Sequence, residues 1–261
     1  MTAPLILLTN DDGVQAPGLA ALADALASLG ELRVVAPERE MSACSQGLTL
    51  ASPLRVTELR PGVHSVSGTP ADCVNLAVTR LLPRRPDLVV AGINRGANLG
   101  EDVFYSGTVG GAREGCFHGL PALAMSLAVR GGAEADFAHA ARFALRLARR
   151  VLVHGLPPGT LLNVNVPPGE PRGLKVTVQA RREHAGAGHD ALRRAADQLD
   201  GLATGRETAD IQAVRDGFVS LTPLHTDSTH HAALAALRAW EALEGDGAGA
   251  PGEVVAFRPR S

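Results

Sequence analysis

Lysine and aromatic residues are nearly missing from this sequence of 261 residues. Lys175 is the only lysine, and aromatic residues make up 3% of the chain, with Tyr105 the single tyrosine. So few rings argue against a stacking surface for single-stranded nucleic acid, and they give no cue to base preference in a smaller ligand. The net charge of −2 offers no strong field to a nucleic acid or an anionic membrane.

Cysteine is scarce as well, and long apolar runs are missing. Cys44, Cys73 and Cys116 are widely spaced and form no CxxC motif, so neither a zinc site nor a disulfide framework is indicated. The N-terminus has no charged segment followed by an apolar one, and no stretch of 18 apolar residues occurs. We therefore expect a cytoplasmic protein with reduced thiols and no membrane partner.

Short apolar runs do alternate with helical patterns over the first two-thirds of the chain. This alternation predicts an α/β fold with a Rossmann-like, doubly wound, mostly parallel sheet and a C-terminal β-hairpin and helix arm. The predicted strands are Leu5–Leu8, Leu32–Ala36, Leu54–Leu59, Val63–Val66, Asp87–Ile93, Ala122–Val129, Leu161–Val166, Leu174–Ala180 and Phe218–Leu224. The predicted helices are Gly18–Leu29, Thr69–Leu82, Ser106–Phe117, Ala135–His154 and Thr229–Leu243.

The composition changes after Pro167-Pro168-Gly169. We expect residues 1–180 to form the Rossmann-like catalytic core. Residues 181–216 are polar and cannot build a core alone, so they are predicted to be an extension or an oligomerisation arm. Residues 217–246 would complete the fold or be exchanged with a partner subunit, and residues 247–261 would be a loose tail.

Two adjacent acids, Asp11 and Asp12, follow the first predicted strand directly. In open α/β sheets this edge is where ligands bind. Neighbouring carboxylates repel each other, and a hard cation such as Mg²⁺ removes that cost. The alternative interpretation is a solvated turn without a ligand.

Three further polar loops follow predicted strands or open a helix at the same edge. They are residues 41–49 with Ser42 and Ser45, residues 94–100 with Asn94 and Asn98, and residues 105–111 with Ser106-Gly107-Thr108. Carboxylate, amide and hydroxyl oxygens suit Mg²⁺ or Mn²⁺, and a helix start suits an anion. Taken singly, these residues are also compatible with helix capping, turns or an exposed loop.

Several longer strings resemble those of the SurE family of metal-dependent 5′/3′-nucleotidases. The resemblance rests on Thr9-Asn10-Asp11-Asp12-Gly13, Gly68-Thr69-Pro70-Ala71-Asp72-Cys73-Val74, residues 92–100, Tyr105-Ser106-Gly107-Thr108-Val109, Asn163–Pro167 and Gly217–Leu224. It implies a divalent-metal-dependent phosphomonoesterase that hydrolyses nucleoside 5′- and 3′-monophosphates, often with some activity on short polyphosphate. It also implies a C-terminal arm exchanged between subunits, hence a homodimer or homotetramer.

The resemblance assigns site residues by position. One divalent cation, Mg²⁺ or Mn²⁺, would be held by Asp11, Asp12, Ser42 and Asn94. The catalytic set would be Asp11, Asp12, Asn98, Ser106, Gly107 and Thr108, and the substrate-binding set Asn10, Arg95, Asn98, Ser106, Gly107 and Thr108.

One position departs from the family pattern, because Met41 stands where members usually carry an arginine before the ligand serine. Arg39 or Arg95 would have to replace that donor, and Ser45 is a second choice for the hydroxyl ligand.

Either a water molecule or an aspartate is the nucleophile. The main alternative function is a non-catalytic nucleotide-binding sensor on the same fold; receiver and haloacid-dehalogenase-like patterns fit poorly, since no Asp follows the central strand and no Asp-x-Asp occurs at the first.

Histidines cluster only near the C-terminus, at His225, His230 and His231. Asp227 lies four residues before His231, so the two side chains can pair on one helical turn. The alternative is a capping aspartate beside exposed histidines.

Overall fold

The computed structural model describes residues 3–129, 134–181, 207–238 and 240–241. Contacts divide the chain into two compact units, Met1–Thr226 and Asp227–Ser261. No helix among the described residues is long and apolar enough to cross a membrane.

Nine strands of the described chain form one sheet in the order β3-β4-β2-β1-β5-β6-β7-β9-β8. The strands are β1 Leu5–Thr9, β2 Glu31–Pro37, β3 Val56–Arg60, β4 Val63–Val66, β5 Leu88–Arg95, β6 Ala122–Leu127, β7 Thr160–Val166, β8 Leu174–Val176 and β9 Val219–His225. Strands β4, β2, β1, β5, β6 and β7 are mutually parallel. Strand β3 is antiparallel to β4 and β9 is antiparallel to β7. This arrangement confirms the predicted α/β fold with a mostly parallel sheet.

Helices cover both faces of the sheet. In the first unit they are α1 Pro17–Leu26, α2 Pro70–Leu76 with a π-helical extension Ala77–Leu81, α3 Gly107–Phe117, α4 Ala138–His154 and α5 Asp210–Arg215. One face buries α1 and α4 against residues such as Ile6 and Leu8, and the other buries α2 and α3 against residues such as Leu7. Successive residues of β1 thus enter opposite cores, which explains why its run is continuously apolar.

Local sequence signals set several helix starts. Thr69 accepts a hydrogen bond from the Asp72 amide at 3.1 Å, and Asp72 accepts one from the Thr69 amide at 2.9 Å, so α2 begins with a capping box. Ser106 caps α3 by accepting from the Val109 amide at 3.1 Å. These caps place the two helices where the sequence predicted them.

The end of the segment before β9 packs on other parts of its own chain. Residues 181–216 were expected to be unable to build a core alone, and Ile211 and Val214 of α5 are buried with Leu99 and Ala180, which lie outside that segment. A few small and apolar residues at the end of the segment are enough for this packing, because other parts of the chain supply the rest of the cluster. The remainder of the predicted arm, residues 182–206, and the predicted tail, 247–261, lie outside the described residues.

The predicted strand Leu174–Ala180 is shorter than expected. It ends at Val176, because Val178 forms an isolated bridge with Ala209 instead of continuing along β9. Strand β9 pairs with β7 and β8 of its own chain and so completes the sheet here.

The second unit contains α6, His231–Leu237, within the predicted helix Thr229–Leu243. The Nε2 atom of His231 lies 2.7 Å from Oδ2 of Asp227, so the two side chains pair; both are exposed, and Asp227 also accepts from the Thr229 amide at 2.8 Å, as in the alternative interpretation. Hydrogen bonds from Thr229 and His231 lower the pKa of Asp227.

Candidate active site

The site lies where the strand order reverses. Strand β1 has parallel neighbours on both sides, β2 and β5; the helix that follows β1, α1, covers one face of the sheet, and the helix that follows β5, α3, covers the other. A crevice therefore opens at the carboxyl ends of β1 and β5, the usual binding position in open α/β sheets.

Asp11, just after β1, is held by the start of α3. Its Oδ2 accepts from the Thr108 amide at 3.0 Å, and its Oδ1 accepts from the Thr108 hydroxyl. Burial raises the pKa of Asp11, which is only 4% exposed, although the Thr108 and Gly107 hydrogen bonds oppose that rise. The carboxylate is thus fixed at the positive end of a helix dipole.

Gly107 permits this close approach. A Cβ atom at this position would lie 2.7 Å from Sγ of Cys44 and 2.8 Å from Cβ of Asp11. The glycine between Ser106 and Thr108 is therefore explained by packing against Asp11.

Asp12 and Asn94 meet across the same crevice. Asp12 Oδ2 accepts from the Arg95 amide at 3.1 Å, and the Asn94 side-chain amide donates to the Gly96 carbonyl at 3.0 Å, so it is the side-chain oxygen of Asn94 that could serve a cation. Burial raises the pKa of Asp12, and the charges of Asp11 and Glu40 add to that rise. A cation beside these groups would offset their repulsion.

The loop after β2 docks onto these residues through its backbone. The Met41 amide donates to the Asp11 carbonyl at 2.7 Å, so the loop is held whatever side chain stands at position 41. Ser42 donates to Glu40 at 2.7 Å and lines the crevice, whereas the Ser45 hydroxyl donates to the Phe104 carbonyl at 2.7 Å. Ser42 is therefore the hydroxyl that the structure brings to the site.

Asn98 is fixed from several directions by neighbouring strands. Its amide donates to Asn165 at 2.7 Å, its side chain donates to Ser126 at 2.8 Å, and its carbonyl accepts from Asn163 at 2.8 Å and from Asn165 at 3.0 Å. These bonds leave the Asn98 side-chain oxygen for the crevice.

Asp210 holds the loop that follows Asn98. Its carboxylate accepts from the amides of Gly100 at 2.8 Å, Ala180 at 3.0 Å and Ile211 at 2.7 Å, and Gln179 donates to the Gly100 carbonyl at 2.8 Å. Sequence reasoning missed this buried carboxylate, because nothing in the local pattern indicated that it caps a distant loop.

The crevice has a volume of about 650 Å³. Seven predicted site residues line it: Asp11, Asp12, Ser42, Asn94, Arg95, Asn98 and Ser106. Sequence reasoning missed Ala16, Pro17, Gly18, Glu40, Ala43, Ala97, Asp102, Tyr105 and Phe137, which line it too. Glu40 directly precedes the polar loop 41–49 and Asp102 lies between the loops 94–100 and 105–111, so both could have been suspected; Phe137 gave no signal.

Three predicted residues lie behind the crevice wall. Thr108 is fully buried with both donors on Asp11, and Gly107 packs behind the same carboxylate. Asn10 is fully buried and donates to the Gly13 carbonyl at 2.9 Å, and its side-chain oxygen has no hydrogen-bond partner among the described residues. In this structure these residues act on the crevice through Asp11 and the turn after β1.

The donor set fits a hard divalent cation. Two carboxylates, an amide oxygen and a hydroxyl line one crevice. Within the described ranges no three His, Cys, Asp or Glu side chains are grouped to hold a metal, so amide and hydroxyl ligands are needed as well.

A family model described as "Survival protein SurE" matches residues 6–186, over two-thirds of the sequence. The chain belongs to the SurE family. It is 50% identical over 242 residues to a 5′-nucleotidase SurE of Syntrophotalea carbinolica, covering 90% of this chain and 97% of that protein. It is 48% identical over 248 residues to a 5′-nucleotidase SurE of Geobacter metallireducens, covering 92% and 98%.

SurE structures show the same fold. The crystal structure of the SurE protein from Aquifex aeolicus matches with a TM-score of 0.78 and 37% identity, covering 91% of this chain and all of that one. The resemblance inferred from the motifs is thereby confirmed.

Proposed function

We propose that this SurE chain is a divalent-metal-dependent phosphomonoesterase that hydrolyses nucleoside 5′- and 3′-monophosphates, with short polyphosphate as a further substrate. The observation that carries the proposal is the meeting of Asp11, Asp12 and Asn94 with the N-terminus of α3 in one crevice. Relatives named 5′-nucleotidase SurE, about half identical over most of the chain, support the reaction class.

Asp11, Asp12, Ser42 and Asn94 would hold one Mg²⁺ or Mn²⁺ ion. Such an ion supplies Lewis-acid polarisation of a phosphoryl oxygen and offsets developing negative charge. The first task of the protein is to fix these ligands, and the Thr108 donors on Asp11 and the Arg95 amide on Asp12 do so.

Asn98, Ser106 and Arg95 line the crevice beside these ligands, and they would hold the phosphate. Amide, hydroxyl and guanidinium groups at a helix N-terminus favour a dianion and stabilise added charge in the transition state. Thr108 would contribute indirectly, because its donors are already used by Asp11.

The geometry favours water as the nucleophile. Both oxygens of Asp11 accept hydrogen bonds from Thr108, which makes this carboxylate a poor attacking group. Asp12, Glu40 and Asp102 are the other carboxylates of the crevice, and a carboxylate there can accept a proton from water. Acid-quench trapping of a phospho-aspartate would overturn this part of the proposal.

Phosphate release from 5′-AMP, 3′-AMP and tripolyphosphate, with Mn²⁺, Mg²⁺ or EDTA, tests the proposal. We expect metal-dependent release that EDTA abolishes. Asp12→Asn should lose activity and Mn²⁺ binding together, whereas Asp24→Asn, an exposed acid on α1, is the matched control and should retain both. Nucleotide binding without phosphate release would instead support the sensor.

We also propose a cytoplasmic homodimer or homotetramer. Light scattering on the purified full chain gives the mass directly, and a monomer at micromolar concentration would refute the assembly.

A further inference from the structure

Tyr105 stands out among the residues that line the crevice. It is the only tyrosine of the sequence, and its side chain is 58% exposed. The neighbouring Phe104 is equally exposed at 56% but does not line the crevice. A single exposed ring is common on protein surfaces, so exposure alone indicates nothing.

The backbone of Tyr105 is fixed even though its ring is exposed. The Tyr105 amide donates to the Asp102 carbonyl at 3.0 Å, and its carbonyl accepts from the Ser45 amide at 2.9 Å. The next residue, Ser106, caps α3. A ligand that contacts the ring therefore need not order the backbone that carries it.

The crevice is larger and more apolar than a phosphate and a cation require. Its volume of about 650 Å³ lies in the range of small-molecule sites. Ala16, Pro17, Ala97 and Phe137 contribute apolar surface beside the polar groups already described. An apolar, flat part of the substrate would find its place there.

We propose that the Tyr105 ring is the surface on which the nucleobase of a nucleoside monophosphate stacks. The proposal rests on the function proposed above and specifies how it selects nucleotides over other phosphomonoesters. Stacking is tolerant of base identity, since every base has a π-face. The proposal therefore assigns a role to the single tyrosine and is consistent with the expectation that the scarce aromatics give no cue to base preference.

The test compares 5′-AMP with ribose 5-phosphate, which has the same sugar phosphate and no base. For Tyr105→Ala we expect kcat/KM for 5′-AMP to fall about 5- to 150-fold, equivalent to about 1 to 3 kcal/mol, mainly through KM. Turnover of ribose 5-phosphate should stay within about twofold. Tyr105→Phe should restore 5′-AMP turnover, and Phe104→Ala is the matched control that should leave it unchanged.

Equal losses on both substrates in Tyr105→Ala, or no loss on 5′-AMP, would overturn the stacking role. Calorimetric binding of the phosphonate analogue of 5′-AMP in the presence of Mn²⁺ separates this failure from failure of the proposed reaction. If the wild-type chain releases no phosphate but Tyr105→Ala weakens analogue binding, the reaction is refuted and the stacking stands. If the wild type does not bind the analogue, or Tyr105→Ala binds it equally well, the stacking is refuted.

Discussion

Replacing Thr108 by valine tests how the protein fixes Asp11. Valine keeps nearly the same volume and the backbone donor, and it removes only the hydroxyl that donates to Asp11 Oδ1. Thr108 is 0% exposed and Asp11 is 4% exposed, so water has little room to replace the lost donor. The pKa of Asp11, already raised by burial, should rise further.

A hydrogen bond to a charged group contributes about 1.5 to 3 kcal/mol. We therefore expect Thr108→Val to lower the free energy of unfolding of the metal-free chain by this amount at neutral pH, in a urea titration with EDTA. Calorimetry should also show weaker Mn²⁺ binding, because a proton competes better for Asp11.

Thr177→Val is the matched control. Thr177 is also buried, but its hydroxyl bonds to the neutral hydroxyls of Ser220 at 2.9 Å and Thr222 at 2.8 Å. Thr177→Val should lower the free energy of unfolding by about 0.5 to 1.5 kcal/mol and leave Mn²⁺ binding unchanged. The reasoning is refuted if Thr108→Val costs no more than Thr177→Val, or if it binds Mn²⁺ as the wild type does.

Three further outcomes follow from buried contacts. Gly110→Ala places a methyl group 2.3 Å from the Ser45 carbonyl oxygen, so unfolding free energy should fall by about 1 to 3 kcal/mol; a loss below about 0.5 kcal/mol would contradict the close packing. In Asp210→Asn a side-chain N–H group faces a backbone N–H group such as that of Gly100. In a urea titration the free energy of unfolding should fall by about 1 to 3 kcal/mol. An unchanged free energy of unfolding would contradict this role of Asp210. Burial, assisted by the charge of Asp102, raises the pKa of Asp210 above its ordinary 3.8. The folded chain then binds this proton more tightly than the unfolded chain, so wild-type stability relative to Asp210→Asn should increase as the pH falls from neutral towards 4, and a decrease would contradict the raised pKa.

Local sequence patterns were sufficient for most of the sheet. The run Leu5–Leu8 is apolar at every position because both faces of β1 are covered, and the Asp11-Asp12 pair after it could be assigned to the binding edge on that basis. Caps at Thr69 and Ser106 marked two helix starts, because a capping side chain acts within its own turn.

Patterns failed where a side chain has a distant partner. Thr108 was assigned to the phosphate, but Asp11, which lies 97 positions away, accepts hydrogen bonds from both of its donors. Asp210 looked like part of a polar arm, yet it holds Gly100 from 110 positions away. Ser45 was the second choice after Ser42 for the hydroxyl ligand, and its hydroxyl donates to the Phe104 carbonyl, a contact that no local pattern indicates.

The order of apolar and polar residues by itself determined the layered α/β architecture and the edge that carries the acids. Those features depend on neighbours within a few positions, where strand and helix periodicity act directly. Only the tertiary structure decided which polar groups face the crevice, which ones brace it from behind, and that Tyr105 borders it. A donor hydrogen that already bonds to a distant residue is no longer available to a ligand, and only the packed chain brings such residues together.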